Sequence, residues 1–115
     1  MSPITIRQNP ERSRFEVLDA GTVIGRAYYA DREDDGLRIF YHTAIDDEYS
    51  GRGLAGRLAA QALNETVAAG LTIVSVCPYI KKYLEKHPEY SANVKTPNPA
   101  ILEFLSGYLA QRTGR

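Results

Sequence analysis

Two groups of residues in this chain could do chemistry. The first is the run Ser50-Gly51-Arg52-Gly53-Leu54-Ala55. It lies where an extended apolar stretch, residues 37–45, gives way to a helical pattern over residues 54–69. A strand, a glycine turn and a helix start in that order leave unpaired backbone N–H groups at the positive end of a helix dipole. Such a site suits an anion, above all a phosphate or pyrophosphate. The glycines let the backbone approach the ligand closely, since a Cβ would hold it away. Arg52 and Arg57 could add positive charge. An ordinary glycine-rich loop entering a helix has the same composition, so the turn alone leaves both readings open.

The second group is His42, Cys77, Tyr79 and Tyr83. Cys77 ends the apolar run of residues 71–76 and directly precedes Pro78, which can open a helix. A helix N-terminus favours thiolate and raises reactivity, whereas a small buried apolar residue is the commonest fate of a free cysteine. Histidine is the side chain whose unperturbed pKa lies near the operating range, so His42 could serve as a general base, or sit neutral in its strand with its hydrogen bonds satisfied. Glu48 is a second candidate base, or a solvated loop carboxylate. Tyr79 and Tyr83 are four residues apart and share one helical face, which serves aromatic packing as well as chemistry. His87, followed by Pro88, helps to end that helix. Two histidines and one cysteine this far apart have no metal-ligand spacing.

The elements that must position these groups follow from residue patterns. Residues 1–13 read as a lead-in or an edge strand. Residues 14–19 alternate polar and apolar, Ala20-Gly21 offers a turn, and residues 22–30 run on as a second strand, giving a hairpin. A charged loop closed by Gly36 leads to a third strand, residues 37–45, and the three form a meander. The next helix carries Leu54, Leu58, Ala62 and Val67 on one stripe with Leu63 beside it, and Gly70 stops it. The near-continuous apolar strand of residues 71–76 belongs inside a sheet. Strand–helix–strand order implies a right-handed crossover to a parallel neighbour. A second helix spans residues 79–87, and Asn98 before Pro99 caps a last helix over about residues 98–111. The expected fold class is α+β: a mixed, mostly antiparallel sheet with helices packed on it, as one domain over residues 1–115.

Bulk composition narrows the function classes. In 115 residues, fourteen basic side chains balance fourteen acidic ones. No global field therefore draws nucleic acid or an anionic membrane, and Lys81-Lys82 is too short a basic run to replace one. No apolar run reaches the roughly 18 residues of a membrane span, and the first fourteen residues lack a signal-type apolar core. One cysteine excludes an internal disulfide and fits a reducing, cytoplasmic setting.

With the meander, the glycine turn, the long helix and the buried strand in place, the chain resembles the GNAT superfamily of acyl-CoA-dependent N-acetyltransferases. That signature has Gln or Arg, two variable residues, Gly, a variable residue, then Gly or Ala. Gly53 and Ala55 match its last fixed positions, while Ser50 stands where Gln or Arg is expected. More narrowly, the chain resembles the small YjdJ-type branch through His42-Thr43, Gly51 to Ala55, Cys77-Pro78-Tyr79-Ile80, Tyr83-Leu84 and His87-Pro88-Glu89-Tyr90. The resemblance covers about residues 12–92 and implies a GNAT-like fold truncated at the N-terminus.

It further implies that Ser50, Gly51, Arg52, Gly53, Leu54 and Ala55 cradle the pyrophosphate of coenzyme A. Backbone at Ala44 and Ile45 would hold the pantetheine arm, with Cys77, Tyr79 and Tyr83 lining the cofactor. The implied activity is transfer of an acetyl group from acetyl-CoA to an unidentified amine in a ternary complex. His42 or a water chain would take the amine proton, and a tyrosine, Tyr83 foremost, would protonate the departing thiolate. An acyl-Cys77 route is the mechanistic alternative, and a non-catalytic coenzyme A or acyl-CoA binding module is the functional one. The expected partners are acetyl-CoA and the amine, with no nucleic acid, membrane or metal. A monomer is expected, or a weak homodimer through the apolar surface of Leu102, Phe104, Leu105, Tyr108 and Leu109.

Overall fold

The computed structural model describes residues 3–113. Its chain builds one six-stranded sheet in sequential order, β1 (Ile4–Asn9), β2 (Arg14–Asp19), β3 (Thr22–Arg32), β4 (Leu37–Ile45), β5 (Thr72–Ser75) and β6 (Val94–Lys95). The first four strands are antiparallel, and β4, β5 and β6 are mutually parallel. The expected mixed, mostly antiparallel sheet is therefore present. It is wider than a three-stranded meander, because β1 joins as a true edge strand and β6 adds a two-residue strand at the far side. Ala20 and Gly21 close the β2–β3 hairpin with φ of 50° and 88°, the positive pair that a type I′ turn requires.

Helix α1 (Leu54–Ala68) makes the crossover between β4 and β5. It buries Leu54, Leu58, Ala59, Ala62, Leu63 and Thr66, so its core stripe runs through Thr66, while Val67 is half-buried. Thr66 tolerates that position because its hydroxyl donates to the Ala62 carbonyl at 2.8 Å. The helix ends in a Schellman motif: Gly70 N–H donates to Val67 O at 3.0 Å and Leu71 N–H to Thr66 O at 3.1 Å. Gly70, at φ 78°, supplies the left-handed residue this motif needs. Helix α2 (Pro78–Lys86) follows β5 directly, and helix α3 (Pro99–Thr113) closes the chain. The Asn98 side chain accepts from Ile101 N–H at 2.9 Å, the cap that the Asn-Pro pair predicts.

Two cores lie on opposite faces of the sheet. One packs Phe15, Val17, Tyr29, Phe40, Leu58 and Ile73, among others, beneath α1 and Ile80 of α2. The other joins Ala30, Leu37, Ile39 and Val74 to Ile101 and Leu105 of α3. Among the described residues, no helix is long and apolar enough to cross a membrane.

Candidate functional site

The site begins where β4 and β5 part. Their parallel pairing runs from Leu37–Thr72 to Phe40–Ser75 and stops there, although β4 continues to Ile45. Both Val76 N–H (2.9 Å) and Cys77 N–H (3.0 Å) converge on the Phe40 carbonyl, which closes the last rung. Beyond it, among the described residues, 42–45 pair only with β3. A β-bulge sits at the same place: β4 has one extra residue, Tyr41, where Tyr28 pairs with His42 and Tyr29 with Phe40. Ala44 and Ile45 lie on this stretch, paired with Arg26 and Gly25 of β3 on one side only, with Ile45 also packed into the core under α1.

The glycine turn follows a short 3₁₀ segment, Asp47–Tyr49. Ser50 donates through both its amide (3.1 Å) and its hydroxyl (2.9 Å) to the Asp47 carbonyl. From Gly51 to Gly56, by contrast, no described residue accepts a hydrogen bond from the backbone amides. Gly51 and Gly53 have φ of 81° and 74°, and a Cβ at either position would meet no heavy atom within 4 Å. These amides therefore line an open notch at the positive end of α1, whose N-cap, Gly53, offers no side chain to satisfy them.

Arg52 is held at this notch by residues that sequence reasoning missed. Its guanidinium lies 4.9 Å from the centroid of the Tyr49 ring. The Tyr49 hydroxyl donates to Oδ2 of Asp19, at the end of β2. That bond, with burial and the nearby carboxylates, pushes the Tyr49 hydroxyl pKa up, so it remains a donor. The other carboxylate oxygen, Asp19 Oδ1, is buried without a partner among the described residues. Thirty residues separate Asp19 from Tyr49, and only the position of Tyr49 beside the turn could have signalled a role.

Cys77 is buried at the N-cap of α2, and its thiol donates to Thr43 Oγ1 at 3.4 Å. Thr43 thus turns its side chain toward the α1 side of the sheet. Its neighbour His42 turns the other way and stacks on Tyr28, ring centroids 5.9 Å apart. The structure brings Cys77 to the gap but does not bring His42 beside it. Tyr79 reaches across to α1: a Cβ on Gly56 would lie 3.8 Å from the Tyr79 hydroxyl. Tyr83 packs 6.4 Å from Tyr79 and stacks on His87 at 4.0 Å. Burial raises the pKa of both hydroxyls, with Cys77 adding to the shift at Tyr79 and Tyr90, Tyr79 and Glu89 at Tyr83. Both are protonated donors at neutral pH.

A cleft of about 530 Å³ opens between α2 and the ends of β5 and β6, bordered by Val76, Lys81, Leu84 and Lys95. None of the site residues expected from sequence lines it. Among the described residues, no group of three or more His, Cys, Asp or Glu side chains could hold a metal ion.

Parted parallel strands, a crossover helix that opens on a glycine turn, and a sheet antiparallel on its other side are together the fold of the GNAT acetyltransferases. A profile of the family described as GCN5-related N-acetyl-transferase matches residues 14–94, and the chain belongs to that family. It is 33% identical over 90 residues to Protein NATD1 from Mus musculus, covering 75% of this chain and 78% of that protein. Protein NATD1 from Homo sapiens matches at 33% over 90 residues, covering 75% and 76%. Among solved structures, a GCN5-like protein from Staphylococcus aureus superposes with a TM-score of 0.63 at 23% identity, over 86% of this chain and 95% of that one. That likeness concerns the fold.

Proposed function

We propose that this protein binds acetyl-CoA and transfers its acetyl group to an amine. The observation that carries the reading is the run of amides from Gly51 to Gly56, unpaired among the described residues and opening on a notch beside the parted strands. Two linked phosphates need several convergent donors, which these amides and Arg52 can supply. The free edge of residues 41–45 suits the amides of a pantetheine arm, which would pair with it as an added strand does. Within the family, we assign the chain to the small YjdJ-type branch on its Cys77-Pro78-Tyr79-Ile80 and His87-Pro88-Glu89-Tyr90 segments.

Acetyl-CoA supplies an activated thioester. The amine nitrogen forms a bond to the thioester carbonyl carbon, and the C–S bond breaks. The amine proton leaves to His42 or to water, and the sulfur takes a proton from Tyr83, whose raised pKa keeps it a donor. The Cys77 thiol, bonded to Thr43, lines the gap and is not acylated in this route.

The test is thermal shift and calorimetry with acetyl-CoA, coenzyme A, ADP and pantetheine, followed by assay of thiol release with amines. Stronger stabilisation by the phosphate-bearing ligands than by pantetheine alone is expected, about 2.7 kcal/mol at a hundredfold excess over Kd. No stabilisation at saturating acetyl-CoA would overturn the reading. Binding without transfer to any amine would replace it with a non-catalytic acyl-CoA module.

A further inference from the structure

Helices α1 and α2 cover one face of the sheet, but α3 covers only part of the other. Phe15, Ala27 and Tyr29 point into the core under α1, so the alternating residues of β2 and β3 point to the α3 side. There the Tyr28 ring lies 5.9 Å from His42 and 6.1 Å from Tyr41, and Tyr41 meets Tyr108 of α3 at 6.4 Å. Guanidinium groups frame these rings. Arg14 donates to the Tyr28 hydroxyl at 3.0 Å, and Arg112 to the Tyr108 hydroxyl at 2.8 Å. Arg26 stands nearby, paired with Asp46 at 3.1 Å.

Charge on this surface is unbalanced, although the whole chain is neutral. Arg7, Arg14, Arg26 and Arg112 face two carboxylates, Asp46 and Glu16, and Glu16 lies buried beneath its arginine partners. Among the groups that frame the rings, four cations stand against two anions, a local excess of positive charge. The surface also has a defined relation to the gap. His42 and Ala44 lie past the last β4–β5 rung, so the rings border the opening from the side opposite the amide notch. An arm anchored at the notch and threaded between the strands delivers its far end to this aromatic floor.

We propose that this face receives the acceptor and that the acceptor is an amine with a carboxylate or phosphate close to its nitrogen. The inference rests on the acetyl-CoA reading above. Stacked rings offer a flat seat for the body of a small molecule or peptide end, and guanidinium forks match carboxylate and phosphate oxygens. The same positive field disfavours the ammonium form and so favours the free amine that must attack. His42, exposed at the mouth of the gap, is placed to take the proton.

The experiment uses the full chain with acetyl-CoA and matched amine pairs: glycyl-glutamate against glycyl-glutamine, and phosphoethanolamine against ethanolamine, with spermidine as a polycation. The anionic member of at least one pair is expected to show about tenfold higher kcat/KM, and the pair that responds separates carboxylate from phosphate. Arg26→Gln and Arg112→Glu should each lower that value about tenfold, and the value for the neutral partner by clearly less, while leaving acetyl-CoA affinity unchanged. If nothing turns over, shifts in the Tyr28 and His42 ring resonances of the acetyl-CoA-loaded protein on adding the anionic amine would still support the proposal, and silence would overturn it. Preference for neutral amines or spermidine, or binding of a single-stranded oligonucleotide in place of an amine, overturns it as well. Failure to bind acetyl-CoA brings down both readings, whereas binding without anionic preference brings down only this one.

Discussion

At the scale of single residues, Cys77 and Arg52 make different demands. The Cys77 thiol is buried and bonded to Thr43 rather than to a base, the surroundings of a lining group. Cys77→Ala is therefore expected to hold kcat within about threefold, at a stability cost of about 1 kcal/mol. A loss of a hundredfold or more, with trapping of an acylated wild-type protein by mass spectrometry, would establish the acyl-cysteine route instead. Arg52 depends on its support. Because Tyr49 is fixed by Asp19 and in turn seats Arg52, the three act as one unit. Arg52→Ala should weaken coenzyme A binding about tenfold, and Tyr49→Phe about threefold, neither changing pantetheine binding. Calorimetry reads both; equal losses with and without phosphates would show that the unit does not serve the phosphates. The turn was legible in sequence because its glycines are consecutive signals. The support was not, because Asp19 at the end of β2 and Tyr49 in the 3₁₀ segment meet only through the tertiary fold, thirty residues apart.

At the scale of elements, the sequence was most readable where local chemistry decides. The Ala20-Gly21 hairpin, the Gly70 stop of α1 and the Asn98 cap of α3 each depend on a few adjacent residues and lie where expected. The edge role of β1 and the two-residue β6 depend on partners elsewhere and left little local trace. The glycines of α1 and α3 allow a contrast. Gly53 is the left-handed N-cap of α1, so Gly53→Ala costs about 1 kcal/mol in backbone strain, a fall of about 4 °C in Tm. No atom lies within 4 Å of the new methyl, so the fold survives. The methyl would occupy the notch, however, and coenzyme A affinity should fall more than tenfold, beyond what the stability loss explains. Gly107 lies inside α3 with open space around it, and Gly107→Ala should instead stabilise by about 0.5–1 kcal/mol with coenzyme A affinity unchanged. Matching affinity changes in the two variants would remove the notch from the binding site.

At the scale of the whole molecule, the sheet divides its two faces between different tasks, and strand alternation alone could not show this. His42 as candidate base and Cys77 as candidate lining group were read from their own strand ends, and the bulge at Tyr41 and the turn of Thr43 toward Cys77 send them to opposite sides. The α3 side also carries Glu16, whose side chain is 1% exposed in the middle of β2. Burial alone would raise its pKa, but hydrogen bonds from Arg14 (2.6 Å), Arg7 (2.9 Å) and Asn9 (3.0 Å) outweigh burial and leave it below the usual carboxylate value. A lowered folded-state pKa means that the unfolded chain takes up the proton first as the pH falls. The stability contributed by Glu16 is then fully present above the unfolded value, near 4.5, and is lost as the pH drops through the folded one. Glu16→Gln leaves two guanidinium groups facing a neutral amide and should cost about 2–3 kcal/mol at pH 7. Because the wild-type carboxyl becomes neutral in acid, the gap between the two proteins should close as the pH approaches the folded-state pKa. Urea denaturation midpoints at pH 7, 5, 4 and 3 read this directly. A gap that stays constant to pH 3 would mean that the arginines stabilise β1 and β2 through packing rather than through the Glu16 charge.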